Sequence, residues 1–200
     1  GIMLTIEPGV DVLFDADVPF IVEGSLHAVG TEDDSIRFVA GDTSEWGGIR
    51  ITGGDSSTIH YARISDVFAE KLDRTTVAPG GGIAVSNSSL GVAHAVIVDN
   101  TVEGSGGGLC ADSANVTLDA CTISGNSAKK VLTFGGRGGG LHANRSTVSL
   151  TDCVVEQDSA QTGGGVSSTS STITLVASDI RDNTASGRAG GSTPPGATST

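Results

Sequence analysis

From residue 80 onward, aliphatic residues fall at every second position in short runs, and the runs themselves come back. Aligned on their glycines, four segments match without a gap: GGGIAVSNSSLGVAHAVIVDN (80–100), GGGLCADSANVTLDACTISGN (106–126), GGGLHANRSTVSLTDCVVEQD (138–158) and GGGVSSTSSTITLVASDIRDN (163–183). An earlier copy, WGGIRITGGDSSTIHYARISDV (46–67), fits with one extra residue in its middle. Four columns are aliphatic throughout: Ile83/Leu109/Leu141/Val166, Leu90/Val116/Val148/Ile173, Val92/Leu118/Leu150/Leu175 and Ile97/Ile123/Val155/Ile180. A spacing of two places both side chains on one face of a strand. The parity breaks before the last column, which implies a bend there. Each unit therefore holds three short strands separated by turns.

A single unit of this size has no second layer against which to bury its apolar side, so the units must stack. In a stack each strand pairs with its equivalent about 4.8 Å above and below, and every column becomes a file of touching like residues. The predicted fold is all-β: a right-handed parallel β-helix of about seven coils with three short strands per coil. A propeller blade needs about 40 residues or more, which these units lack. The runs LTIEPGVDVLF, FIVEGSLHAVG and SIRFVAG, each ended by Gly or Pro-Gly, extend the same logic less strictly over residues 1–45 as two further coils. Regular repeats are expected over 46–188, and a flexible Gly/Ser/Thr/Pro tail over 189–200.

The glycine triplets begin at 80, 106, 138 and 163, in steps of 26, 32 and 25. The long step contains the insertion KKVLTFG (129–135), which is expected to project from the regular coils. The glycines are placed where the chain turns into each first strand and needs a positive φ or a close backbone approach. The column Asn100, Asn126, Asp158, Asn183 is read as a structural ladder that holds turns, because Asn and Asp tolerate the left-handed region and bond backbone groups.

Composition narrows the function. Hydrophobic residues make up 37% of the chain, enough for a core, but aromatics are only 4%, so that core must be aliphatic. A net charge of −12 with no basic stripe argues against nucleic acid and against an anionic membrane surface. No run of 18 apolar residues is present, so no membrane insertion of this segment is expected. The start lacks the basic and apolar regions of a signal peptide. The segment is expected to be part of a longer surface protein.

The motifs GGGI, GGGL, GGGL and GGGV, with IVDN, TISGN and DIRDN, resemble the GGA(I/L/V) and FxxN repeats of polymorphic outer-membrane proteins of the chlamydial type. That likeness covers residues 80–183; Ile stands where the repeat has Phe, and Asp158 where it has Asn. The opening through WGGIRI is similar to secreted bacterial β-helix proteins related in fold to pectate lyases. The resemblance implies a secreted or cell-surface location, on a bacterial outer surface, and a role in adhesion or glycan contact. It does not specify an activity, since function resides in a site rather than a fold.

Candidate chemistry is sparse. Glycoside hydrolysis wants two carboxylates flanking the bond. The outward acids Asp99, Asp112, Asp119, Asp152 and Asp182 are read as solvated, with no Arg expected beside them. No catalytic residue is therefore assigned. No cofactor is expected either; Ca²⁺ suits the charge balance, but neither the GGxGxDxUx nonapeptide nor a DxDxDG loop occurs. Cys121 and Cys153 share a small-residue column and are expected to be buried and reduced. Cys110 and His142 share an outward column and are expected to be exposed, two ligands being too few for zinc. The candidate contacts for a glycan or another surface protein are the cationic cluster Lys129, Lys130 and Arg137, with Trp46 and Tyr61 as the rings suited to stacking on sugars. Trp46, which precedes GGI at a coil entry, is read first as packing that shields an open turn. The leading expectation is a non-catalytic surface module for adhesion, glycan contact or display. The alternatives are a fragment of a polysaccharide lyase or glycoside hydrolase, and a structural tether between domains.

Overall fold

In the computed structural model, residues 2–42, 45–54, 56–70, 78–131 and 134–187 are described. The expected tail and residues 132–133 of the insertion lie outside them. Among the described residues every regular element is a strand. The strands stack into long faces whose neighbours are parallel and come from successive coils.

The glycine-led face contains Phe20–Val22, Ile49–Thr52, Ile83–Ser86, Leu109–Asp112, Leu141–Asn144 and Val166–Thr169. The second face has seven strands, from Met3–Ile6 to Thr172–Val176, and the third has seven, from Asp11–Phe14 to Asp179–Arg181. Register follows the sequence columns: Leu90 lies opposite Val116, Val116 opposite Val148, and Val148 opposite Ile173. Ile97, Ile123 and Val155 are neighbours with no exposed surface. Each such side chain contributes about 1.5–3 kcal/mol by leaving water. Ile180 continues the file but is 41% exposed, because it belongs to the outermost described coil.

From the coil that begins at Trp46 onward, a short fourth strand joins the three expected ones. A short fourth face is built from Phe68–Ala69, Thr101–Val102, Ser127–Ala128, Ser159–Ala160 and Thr184–Ala185. Two-residue strands are too short to alternate visibly, so they carry no sequence signal of their own.

The corners are made by single residues in the left-handed region. Between the second and third faces these are Tyr61, His94, Ala120, Asp152 and Ala177, with φ from 47° to 51°. Between the glycine-led and second faces they are Asn87, Ser113, Arg145 and Ser170. One such residue bends the chain sharply and lets a strand resume at once. After the third face the bend falls on Asp66, Asp99, Gly125, Gln157 and Asp182, one place before the Asn/Asp column. The ladder residues therefore do not adopt the left-handed turn themselves. They follow it, and their side chains point inward: Asn100 and Asn126 are fully buried and Asp158 is 1% exposed.

At the two corners that flank the second face, the residue after the bend is small because it turns into the core. Where it carries a hetero atom, that atom accepts a backbone N–H from the coil before, as Ser146 Oγ does from Ala114 (3.0 Å) and Cys153 Sγ from Cys121 (3.5 Å). Both cysteines are buried and free. The scarce rings gather in the first coils: Phe14 stacks on Trp46 at 4.1 Å, and Phe20 tilts against Phe14 and Phe38.

Candidate functional site

On the glycine-led face, side chains alternate between the core and the outside. One outward file runs Arg50, Ala84, Cys110, His142 and Ser167 in register. This file is not exposed as expected. His142 is buried and Cys110 half-buried. The cause is the first glycine of each triplet, which takes a positive φ and folds the incoming chain back over the outer surface. A Cβ at Gly80 would sit 2.8 Å from the Cys110 Cβ and 3.2 Å from that of Ala84.

Covering these groups suppresses their chemistry. Burial pushes the Cys110 thiol up to about 12, assisted by Asp112. Burial, and then Arg137, hold His142 below the usual imidazole range. The Arg50 guanidinium is lowered to about 10 by burial and donates to the Gly81 carbonyl at 3.1 Å. A thiol this basic is protonated at neutral pH and is a poor nucleophile, so the Cys110–His142 pair does not work as an activated dyad.

The next outward file is open and polar: Thr52, Ser86, Asp112, Asn144 and Thr169, one per coil. Asp112 is engaged there. Its Oδ1 accepts from Arg145 Nη2 at 2.8 Å and from Asn144 Nδ2 at 3.1 Å, and Arg145 Nε reaches Ser113 Oγ at 3.3 Å. The expectation that no Arg sits beside the outward acids fails here, because Arg145 stands at the corner of the following coil, one place past the Asp112 column. Asp119 lies opposite Thr151, and Asp152 is an exposed corner residue.

The insertion closes as an antiparallel pair, Lys130–Val131 with Phe134–Gly135. Lys129 Nζ lies 5.0 Å from the Phe68 ring centroid, while Lys130 is exposed. Arg137 is exposed and bridges to Ser105 and Thr162 on adjacent coils, and its charge is felt at His142. Lys129, Lys130 and Arg137 therefore flank the glycine-led face on the side where each coil begins.

The two candidate rings lie elsewhere. Trp46 has no exposed surface: its Nε1 donates to the Ser65 carbonyl at 2.8 Å and its face is covered by Phe14. It is a core residue, as the packing reading of it requires, and the alternative of a stacking surface for a sugar is ruled out. A tryptophan where other coils have glycine fills the wide interior of the first coils. Tyr61 sits at the corner between the second and third faces, stacked on His94 at 4.5 Å. It is separated by a face from the cationic rim.

Stacked parallel faces with one short coil per repeat agree with a family comparison, in which the right-handed β-helix region matches residues 41–194. The chain belongs to the right-handed β-helix family. No curated protein matches the chain. Among solved structures, the chain is similar to a Parabacteroides merdae protein provisionally described as a glycosyl hydrolase. The identity is 10% and the TM-score 0.46, over 86% of this chain and 81% of that one. The family membership sets the hand of the coil. No helix among the described residues is long and apolar enough to cross a membrane.

Proposed function

We propose that this β-helix is a non-catalytic extracellular module that binds an extended acidic glycan along its glycine-led face. The observation that carries this reading is the position of the Lys129, Lys130 and Arg137 rim. On a chain of net charge −12, these cations flank the edge where each coil begins, on the face whose open file of Thr52, Ser86, Asp112, Asn144 and Thr169 offers one hydrogen-bonding side chain per coil. A repeat of about 4.8 Å along the axis suits a polymer whose hydroxyls and carboxylates also repeat. Cations at one edge recruit such a polymer and set its direction, and that contribution weakens with salt. The protonated thiol of Cys110 and the Arg145-bound carboxylate of Asp112 favour binding over turnover.

The test is a glycan array of acidic and neutral polysaccharides, read at low and physiological salt. The expected result is retention on acidic glycans, weakened at least about tenfold by Lys130→Glu with Arg137→Glu, without release of new reducing ends or unsaturated product. Product formation, or binding indifferent to both charge reversals, overturns the proposal.

A further inference from the structure

The ladder contains one member of different chemistry. In its amide rungs the two ends of the side chain have separate roles. Oδ1 accepts the backbone N–H of the rung before, as Asn126 Oδ1 does from Asn100 at 3.1 Å and Asn183 Oδ1 from Asp158 at 2.9 Å. Nδ2 donates to the carbonyl three residues before the preceding rung. Asn100 reaches Ile64 at 3.1 Å, Asn126 reaches Ile97 at 3.0 Å, and Asn183 reaches Val155 at 2.9 Å. Each Nδ2 also lies against the third glycine of its own coil: a Cβ there would be 3.0 Å from it at Gly82, 3.1 Å at Gly108 and 2.5 Å at Gly165.

Asp158 keeps the first role. Its Oδ1 accepts from Asn126 N at 2.7 Å and from Asn126 Nδ2 at 3.0 Å. Its Oδ2 takes the place of the amide nitrogen, against Gly140, where an added Cβ would collide with it. By the rule of the other rungs, the carbonyl in reach is that of Ile123. As a carboxylate, Oδ2 has nothing to donate, and it is buried and has no partner among the described residues. Two acceptors then face each other in a dry corner.

We propose that Asp158 is held as the neutral carboxylic acid, its Oδ2–H donating to the Ile123 carbonyl, so that this rung is a proton-operated latch between the coils on either side. One proton restores the bond that every amide rung makes. Removing it leaves a buried charge opposite a carbonyl oxygen. In a solenoid each coil contacts only its neighbours, so the loss is felt by the coils that meet at this rung.

The groups that face Asp158 support the neutral form. Asn126 on the preceding coil and Asn183 on the following one are uncharged, as is Gly140. Beside them, the hydroxyls of Ser127 and Ser159 bond each other at 3.1 Å. The charged neighbour is Glu156, which is paired with Arg181 at 2.8 Å. Burial first, and Glu156 after it, raise the carboxyl from 3.8 to about 7 against the opposing bonds from Asn126. The folded chain thus holds a proton that the unfolded chain releases between those values. The associated stability is fully present below 3.8, falls across the window and is lost above about 7. A one-proton difference changes the folding equilibrium about tenfold per pH unit.

Asp158→Asn supplies the amide of the other rungs, with denaturant unfolding and hydrogen exchange followed at pH 5 and pH 8. The wild-type protein should lose on the order of 100-fold in folding equilibrium constant between these conditions, from about two pH units inside the window. The variant should lack that component and be better protected at pH 8 around residues 126–183. Equal pH dependence in the two proteins overturns the latch. Carboxyl-carbon NMR titration of Asp158 in the unaltered protein gives an independent reading: a midpoint near 7 supports the latch, and one in the ordinary carboxylate range overturns it. In Glu156→Gln the midpoint should fall slightly yet stay high, because burial is the larger cause; a return to the ordinary range would also overturn it.

Discussion

At the scale of single residues, the ladder turns one side chain into several obligatory contacts. Asn126 serves Asn100 N, Asn100 Nδ2, the Ile97 carbonyl and Asp158 Oδ1 together. Asn126→Ala should cost at least about 2 kcal/mol, since buried polar groups left without partners cost about 1–3 kcal/mol each. A shift in the denaturant midpoint measures it, and a loss below about 0.5 kcal/mol would mean that the rungs are redundant. The cysteines make a second prediction. Cys121 and Cys153 are each 1% exposed, so a reagent cannot reach them, and burial pushes Cys110 to about 12. A thiol reagent at pH 8 should label none of the three in the native protein and all three after unfolding.

At the scale of elements, the corners decide which glycines matter. Gly108 packs against the next coil, and an added Cβ would meet the Gly140 carbonyl at 2.7 Å and the Ile123 side chain at 2.9 Å. Gly91 lies within Ser89–Ala93, and its Cβ would meet only Thr117 Oγ1 at 3.6 Å. Gly108→Ala is expected to lower stability by about 1–3 kcal/mol through overpacking. Gly91→Ala should be neutral or raise stability by about 0.4–1 kcal/mol, through the unfolded chain's reduced freedom. Thermal melts of the two variants compare them directly. The left-handed corners at Tyr61, His94, Ala120, Arg145 and Gln157 have no such chemical marker. Their conformation is imposed by the strands on either side, so their sequence positions read as unremarkable polar or small residues.

At the scale of the whole molecule, the coils share a core that changes composition along the axis. Phe14, Phe20, Phe38 and Trp46 fill the first coils, and Ile, Val and Leu fill the rest. The outermost described coils leave Leu4 and Ile180 of the inward columns exposed, because they lack a neighbour on one side, whereas Leu13, Ile21 and Val176 are exposed on the outward parity of their strands. The axial arrangement also explains why the acidic chain gathers three of its cations in and just after one insertion. A segment that leaves the regular register is free of the column constraints, and so can carry a different charge.

The alternation within segments and the fixed spacing between them were enough to determine the stacking register from sequence. A residue repeated in every coil must touch its copies, and Leu90, Val116, Val148 and Ile173 do. The same columns identified the ladder and the small-residue file of Cys121 and Cys153. Tertiary structure alone decided what covers an outward side chain. Parity correctly points Cys110 and His142 away from the core, but it cannot report that the chain curls back over them from the first glycine of each triplet. Nor can it bring Arg145 to Asp112, which depends on how a corner residue leans across to the coil before. Trp46 shows a related limit, because a ring beside glycines reads first as a plug, and only the Phe14 ring placed against it removes the alternative of a surface platform. Periodicity encodes which residues are neighbours along the axis, whereas access and charge depend on the turns between faces, where the chain does not repeat.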